Sequence, residues 1–143
     1  MYENTFRDLA EDAFGIPVRC AADQRIKVNL NVQFNSMRYE AHVDTNPIEA
    51  ILYITTHPVG DGGELIVAND IWARSVEEID RSFACIYPIR GHLVMFDART
   101  RPHYVRQLRT NGIRVVAAMN YYTASCPESD RPKDLNVHLF GDP

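Results

Sequence analysis

The sequence predicts a mostly β fold, an antiparallel sandwich or jelly roll with one short helix at its N-terminus. About eight short runs of alternating or β-branched sequence follow one another at near-regular spacing, which is typical of such folds. Turn-forming Gly, Pro and Asn residues separate the runs, and we find no repeat or internal linker. With 143 residues the chain can enclose a hydrophobic core, so we expect residues 1–143 to form a single domain.

The N-terminal helix is predicted for residues 3–13, where apolar side chains recur at helical spacing. These side chains belong to Phe6, Leu9, Ala10 and Ala13. The Gly-Ile-Pro sequence at 15–17 ends the helix, because Gly and Pro both interrupt helical geometry.

The predicted strands follow in order along the chain. The first, residues 25–34, alternates apolar and polar side chains, as a strand with two unlike faces does. The others are predicted at 39–44, 48–56, 63–70, 83–89, 92–97, 103–108 and 113–123. We expect a helical turn at 75–82 and a core at 28–123. The polar C-terminal tail, 124–143, is expected to cover a sheet edge or to stay loose.

Composition argues against several classes of function. The net charge of −4 does not favour binding to nucleic-acid phosphates. No run approaches the roughly 20 apolar residues of a membrane span, and the polar N-terminus does not fit a signal peptide. Cys20, Cys85 and Cys126 are odd in number and lack CxxC spacing, which favours neither a disulfide framework nor a zinc site. We therefore expect a cytoplasmic protein that binds neither nucleic acid nor membrane.

His42 and Asp44 lie two residues apart, directly before an Asn-Pro turn. Side chains at positions i and i+2 of a strand point the same way, so an imidazole and a carboxylate face one point. That pair suits a metal ion, but it also suits a surface salt bridge. The choice between them depends on the rest of the chain.

Arg114 opens a strand whose two faces are both largely apolar, 11 residues after His103 and across an Asn-Gly turn. A buried arginine needs an anionic partner, because an unpaired buried charge is very costly. The sequence offers no obvious acidic neighbour at the cross-strand position. This leaves room for the carboxylate of a ligand.

In chain order, His42, Asp44, His103 and Arg114 form a recognisable pattern. Two imidazoles and one carboxylate on one face of an iron ion leave three coordination positions open, as in non-haem Fe(II) oxygenases. A 2-oxo acid can chelate such an ion, while an arginine binds its far carboxylate through two parallel hydrogen bonds.

Three stretches carry a family resemblance: YEAHVDTNP (39–47), ILYIT with GDGGELIV (51–67), and residues 91–122. The first resembles the Tyr-x-x-His-Val-Asp-Asn-Pro element of the prolyl-hydroxylase branch of the 2-oxoglutarate/Fe(II)-dependent dioxygenases. The second is similar to that branch's Tyr-Leu-Asn strand and Gly-Gly-x-Leu turn, and the third to its C-terminal half. The resemblance covers about residues 28–122 and implies a double-stranded β-helix.

The resemblance also implies roles for particular residues. His42, Asp44 and His103 would be the catalytic iron ligands, Arg114 the clamp for 2-oxoglutarate, and Tyr53 a hydroxyl donor to the same carboxylate. The implied cofactors are Fe(II), the co-substrate 2-oxoglutarate and O2, with ascorbate as a reductant. Related halogenases lack the carboxylate at the position of Asp44, so its presence favours hydroxylation, with release of succinate and CO2.

The substrate is expected to be a small molecule, an amino acid or a biosynthetic intermediate. Peptide hydroxylases of this branch have a tyrosine at the position of Phe34, and a tryptophan is common at Asn120. The segments between strands are also short for a peptide groove, although Trp72 could close over a small substrate or cap the core. A peptidyl-prolyl substrate is the alternative. The short segment before the first strand suggests a homodimer or a trimmed form of a longer protein.

Two other interpretations stay open. One is a cupin-like metal dioxygenase that does not use 2-oxoglutarate, against which Arg114 and Tyr53 both argue. The other is a non-catalytic metal- or ligand-binding β-barrel module. Four further arginines are candidates for the carboxylate clamp, or could bind an acidic substrate at the site mouth. They are Arg99, Arg101, Arg106 and Arg109, of which Arg106 should point out of the barrel by its parity with His103.

Overall fold

Two antiparallel sheets packed against each other make up most of the protein in the computed structural model, which describes residues 1–141. The strands are β1 (Arg19–Cys20), β2 (Val28–Gln33), β3 (Tyr39–His42), β4 (Ile48–Tyr53), β5 (Leu65–Ala68), β6 (Phe83–Ile86), β7 (Leu93–Asp97), β8 (His103–Val105) and β9 (Arg114–Tyr122). The helices are α1 (Arg7–Phe14), α2 (Gln24–Lys27), α3 (Val76–Ile79) and α4 (Leu135–Phe140). A π-helical turn, Tyr2–Phe6, precedes α1, and a 3-10 turn, Glu128–Asp130, precedes α4.

The strand order confirms the predicted double-stranded β-helix. In the first sheet, β9 pairs with β1 and β2 along one edge and with β4 along the other, and β4 pairs with β7. The second sheet has the order β3-β8-β5-β6. From β2 to β5 the chain changes sheet at each turn, and it does so again from β6 to β9, so the two sheets are wound together.

The core between the sheets consists of alternating inward side chains. Ile51, Tyr53 and Val116 of the first sheet pack with Leu65, Val67 and Val105 of the second. Burying each aliphatic side chain of this size stabilises the fold by about 1.5–3 kcal/mol. This core includes Val67, the cross-strand partner of His103, so it anchors the strands that carry the candidate site.

The N-terminal helix covers part of the outer face of the first sheet. Ala10 is buried against Met119 and Tyr121 of β9, and Phe6 packs on the same cluster. The ring of Tyr2 stacks on that of Tyr121 with centroids 4.9 Å apart. The predicted helix is therefore confirmed. It ends at Phe14, before a glycine in the left-handed region.

Strand β2 presents its two faces in an unusual way. Its apolar side chains point outward, beyond the area that α1 covers, and Leu30 is 66% exposed. Its polar side chains, Asn29, Asn31 and Gln33, point into the barrel, and Gln33 is fully buried. The alternation along 25–34 is real, but the interior faces a polar cavity at this strand, so the polar set is the inner one.

The C-terminal segment is ordered around a set of polar contacts. The Arg131 guanidinium donates to Asp23 Oδ2 at 3.2 Å and to Asn136 Oδ1 at 2.9 Å, and Asn136 Nδ2 donates to the same Asp23 oxygen at 3.0 Å. These contacts dock the region around α4 on the turn before α2. Of the two alternatives predicted for the tail, covering a sheet edge or staying loose, these contacts contradict the loose one up to residue 141. Residues 142 and 143 lie outside the described part of the chain.

Two further sequence expectations can be compared with the described residues. The helical turn near 75–82 is present as α3, whose N-terminus is capped by Ser75 accepting a hydrogen bond from the Glu78 amide. None of the helices described within residues 1–141 is long and apolar enough to cross a membrane. The three cysteines are free thiols.

The outward position of Leu30 leads to a stability prediction. Leu30→Gln should change the free energy of unfolding by less than about 0.5 kcal/mol, because the side chain is already in water. Leu65→Ala, in the core between the sheets, should cost about 2–5 kcal/mol. Urea denaturation of both variants measures the difference. A loss above 1 kcal/mol for Leu30→Gln would mean that another surface covers this strand.

Candidate metal centre

The three candidate ligands lie together at one end of the barrel. His42 ends β3 and His103 begins β8, and the two residues face each other across the strand pair. Asp44 lies two residues beyond His42, where its backbone amide donates to the Ala98 carbonyl at 2.9 Å. Strand pairing thus positions both imidazoles, and a backbone hydrogen bond positions the carboxylate between them.

The distances within this cluster suit a single ion. One ligand atom from each of His42, Asp44 and His103 lies within 4.8 Å of the other two. The Nε2 atom of His42 is 3.4 Å from Asp44 Oδ1, and Nε2 of His103 is 3.7 Å from Asp44 Oδ2. Three donors at about 2 Å from one ion are separated by distances of this size. The cluster could therefore hold one metal ion.

Both imidazole rings are oriented by a contact between Nδ1 and a backbone carbonyl. His42 Nδ1 lies 2.7 Å from the Glu40 carbonyl, and His103 Nδ1 lies 2.9 Å from the Arg101 carbonyl. A carbonyl accepts, so each Nδ1 carries a proton, and each Nε2 can offer its lone pair to a metal ion once it is unprotonated. The edge of Phe96 meets the His103 ring at a centroid distance of 4.9 Å and limits its rotation.

The electrostatics favour the metal-binding forms of Asp44 and His103. Burial lowers the pKa of His103, so its imidazole tends to be neutral. Burial opposes ionisation of Asp44, but the hydrogen bond from His42 and the two imidazole charges outweigh it, and the pKa of Asp44 lies below its ordinary value. At His42 burial lowers the pKa, but the hydrogen bonds with Asp44 and with the Glu40 carbonyl and the negative charge of Asp44 together outweigh it, and the pKa is raised.

Arg114 lies deep in the barrel without an acidic partner. It is 1% exposed, burial lowers its pKa, and the residue opposite it on β2 is the neutral Gln33. Its Nε atom has no hydrogen-bond partner among residues 1–141, and neither does the buried hydroxyl of Tyr53. The Arg114 guanidinium carbon lies 5.5 Å from the centroid of the Tyr53 ring. Two unpaired polar groups therefore meet where a carboxylate could bind both.

The Gly62-Gly63 turn makes room for this arginine. A Cβ atom on Gly63 would approach Arg114 Cδ to 2.9 Å, and one on Gly62 would approach the Gln107 carbonyl oxygen to 1.9 Å. Both glycines also have positive φ angles, 79° and 83°. The turn is thus fixed sterically from two sides.

The inner cavity, as we call the space beside the candidate ligands, has a volume of about 370 Å³. Side chains of β2, β4 and β9 and of the C-terminal helix line it, together with His42 and Asp44. An outer cavity of about 500 Å³ adjoins the other side of His42. Trp72 lines this outer cavity and is 73% exposed, so it does not cap the core.

Glu49 is a cavity residue that the sequence analysis did not identify. It lies on β4 opposite Asn120 of β9, with its carboxyl group against Asp44. Burial, and then the negative charge of Asp44, raise the pKa of Glu49 well above its ordinary value. One signal was available, because Glu49 is the single charged residue in the otherwise apolar run 48–53.

The remaining predicted positions divide into those near the cavity and those away from it. Asn120 lines the inner cavity, as expected. Phe34 does not line it and is 51% exposed, so its use as a substrate-side position was wrong. Arg106 lies over the Phe83 ring, outside the barrel as its parity predicts, and Arg99 donates to the Thr45 carbonyl.

A double-stranded β-helix with a His-Asp-His cluster and a buried arginine is typical of oxygenases that use non-haem iron and a 2-oxo acid. The chain belongs to the 2OG-Fe(II) oxygenase superfamily, whose family model matches residues 28–122. No curated protein sequence matches the chain significantly.

Several solved structures share the fold at low sequence identity. AviO1 from Streptomyces viridochromogenes Tue57 superposes with a TM-score of 0.67 at 14% identity, over 87% of this chain and 59% of that one. Prolyl 4-hydroxylase from Phytophthora capsici superposes with a TM-score of 0.62 at 13% identity, over 98% of this chain and 48% of that one. The alpha ketoglutarate dependent epimerase SnoN from nogalamycin biosynthesis superposes with a TM-score of 0.61 at 20% identity, over 83% of this chain and 52% of that one. The chain thus spans about half the length of these structures.

The glycine turn leads to a second stability prediction. Gly62→Ala should cost about 4 kcal/mol or more, because its methyl group overlaps a backbone carbonyl as well as straining φ. Gly91→Ala is the matched control. Gly91 has φ of 84° but no atom within 4 Å of an added Cβ, so we expect only the strain of about 1–2 kcal/mol. Equal losses in urea denaturation would contradict the close packing of the turn.

Proposed function

We propose that the protein is an Fe(II)- and 2-oxoglutarate-dependent dioxygenase that hydroxylates an unactivated C–H bond of a small molecule. The observation that carries the proposal is the His42, Asp44 and His103 cluster, found together with a buried arginine, Arg114, that forms no ion pair within residues 1–141. The cluster alone does not establish a metal site, because clusters of titratable residues also occur without a metal. The combination of cluster and arginine matches the two ends of a bound 2-oxo diacid.

The residues present fit ferrous iron. Two neutral imidazole nitrogens and one carboxylate are hard or intermediate donors, and three donors leave positions free for a chelating co-substrate and O2. In this proposal His42, Asp44 and His103 hold the ion through Nε2, a carboxylate oxygen and Nε2. The loaded centre supplies oxidative decarboxylation of 2-oxoglutarate to succinate and CO2, coupled to hydroxylation of the substrate.

Arg114 and Tyr53 fit the distal carboxylate of 2-oxoglutarate. The guanidinium group can donate two parallel hydrogen bonds, and the Tyr53 hydroxyl, which has no protein partner among the described residues, can donate a third. A bound dianion would also neutralise the buried charge of Arg114. This supports 2-oxoglutarate over a metal site without a co-substrate, and over a module that only binds metal.

A small-molecule substrate is supported by the inner cavity. Its volume of about 370 Å³ is near the lower end for ligand sites, and α4 forms one of its walls. A peptidyl-proline substrate remains the competing proposal, because the outer cavity beside His42 is open along Trp72.

A substrate screen tests the proposed function directly. Purified protein with Fe(II), 2-oxoglutarate and ascorbate is incubated with free amino acids, small-molecule metabolites and proline-containing peptides. We expect succinate formation and a product heavier by one oxygen atom with a small molecule. Efficient hydroxylation of a peptidyl proline, with no small molecule turned over, would reverse the substrate assignment.

Metal binding should depend on the three cluster residues. Asp44→Ala and His103→Ala should each weaken Co(II) binding by at least about 100-fold, since even residues that only orient metal ligands commonly contribute 10–100-fold. Calorimetric titration with Co(II) measures this without turnover. His92→Ala is the control, because His92 is exposed and outside the cluster. Unchanged affinity in both cluster variants would remove the metal assignment.

Co-substrate binding should depend on Arg114. Arg114→Ala should weaken binding of 2-oxoglutarate by about 2–5 kcal/mol, and Arg114→Lys should recover only part of this, because an ammonium group lacks the fork. The assay is titration of 2-oxoglutarate into the Co(II)-loaded protein, followed by the visible spectrum. Arg109→Ala is both the control and the competing clamp. If 2-oxoglutarate binding is weakened in Arg109→Ala but not in Arg114→Ala, then Arg109 is the residue that binds the distal carboxylate.

A further inference from the structure

We infer that Asn29, Asn31, Glu49 and Asn120 form a hydrogen-bonding wall that binds an uncharged, hydroxyl-rich ring, a sugar or cyclitol, as the substrate of the proposed oxygenase. This inference rests on the proposed function for its position beside the metal centre. The wall consists of polar side chains that line the inner cavity beside the candidate ligands.

The two asparagines of β2 are the first observation. Asn29 and Asn31 lie two residues apart on the inward face, opposite Ala118 and Val116 of β9, and both line the inner cavity. Neither carboxamide has a hydrogen-bond partner among residues 1–141, although both are half-buried. Their polar atoms face the cavity with no competing partner in the described part of the chain, so they are free to bind a ligand placed there.

Two residues of neighbouring strands extend this wall toward the metal centre. Asn120 of β9 uses its Nδ2 to donate to the Ile26 carbonyl, which leaves Oδ1 as an acceptor on the cavity side. Glu49 lies directly across the β4–β9 pair from Asn120 and next to Asp44. The wall therefore runs from the open end of β2 to the candidate ligands.

The chemistry of the wall selects among substrates. No lysine or arginine lines the inner cavity within residues 1–141, so an acidic substrate finds no counter-charge there. A carboxamide both donates and accepts hydrogen bonds. A hydroxyl group also does both, whereas an ammonium group only donates and an alkyl side chain does neither. Several neighbouring hydroxyl groups are therefore the best match for the carboxamides.

Apolar side chains complete the lining of the cavity. They are Ile26 and Ala118, which lie beside the asparagines, and Leu135 and Leu139 of α4. The C–H face of a sugar or cyclitol ring can pack on such a surface while its hydroxyl edge faces the asparagines. The contacts among Asp23, Arg131 and Asn136 hold α4 in this position, so the C-terminal segment forms part of the site.

Ligand-observed saturation-transfer NMR on the Zn(II)-loaded protein tests the inference without turnover. The probes are myo-inositol, glucose and N-acetylglucosamine, with leucine, proline, lysine and cyclohexanol as comparisons. We expect binding of at least one hydroxyl-rich probe and tighter binding of it than of cyclohexanol. The Asn29→Ala and Asn31→Ala variants should each weaken that probe at least tenfold, and Asn35→Ala, at an exposed turn, should change it less than twofold.

Several results would overturn the inference. They are no binding by any hydroxyl-rich probe, equal binding of cyclohexanol, tighter binding of the amino acids, or affinity that the two cavity variants leave unchanged. The comparison of probes on the unmodified chain decides the question even if a variant does not fold. Titrating Co(II) and then 2-oxoglutarate into metal-free protein of the same batch separates the two proposals. If Co(II) and 2-oxoglutarate do not bind, but a hydroxyl-rich probe binds in a way that depends on Asn29 and Asn31, the oxygenase proposal is wrong and the hydroxyl-binding wall is supported.

Discussion

The buried guanidinium of Arg114 is the constraint on which the rest of the structure depends. A cation removed from water without an acidic partner destabilises the fold, and the surroundings reduce this cost only in part. The ring of Tyr53 offers its negative face, 5.5 Å away, and no carboxylate forms an ion pair with the group within residues 1–141. Gly63 must lack a side chain to admit the arginine. The core between the sheets offsets this cost, and an anionic ligand of the kind proposed above would remove it.

The metal centre depends on a different feature, the pairing of the two strands that carry its histidines. Because His42 and His103 are direct cross-strand neighbours, their spacing is set by backbone hydrogen bonds and not by flexible side chains. Asp44 is fixed by its own backbone contact with Ala98. Each imidazole is held by a carbonyl behind it. Such preorganisation means that a metal ion would find its donors oriented before it binds.

The fold and the cluster were predictable from the sequence because each leaves a local signature. The His-x-Asp spacing reports two side chains on one strand face, and the position of Arg114 at the start of an apolar strand reports a buried charge. The residues of the cavity wall leave no such signature. The alternation along 25–34 predicts that β2 has two unlike faces, but it does not determine which face points inward. By the usual rule, the apolar face would be assigned to the core. The C-terminal helix was missed because its contacts with Asp23 join positions more than 100 residues apart.

The inward polar face of β2 reduces the hydrophobic core but lines the cavity beside the candidate ligands. A barrel filled with aliphatic side chains at every inward position would be more stable, but it would have no space beside the metal centre. Here the aliphatic packing is concentrated around Ile51, Leu65 and Val116, whereas the inward positions of β2 are polar along the whole strand. On the outer side, β2 keeps its apolar residues beyond the edge of α1, where they add little to the core. The strand is thus better explained by what it presents to the cavity than by what it contributes to packing.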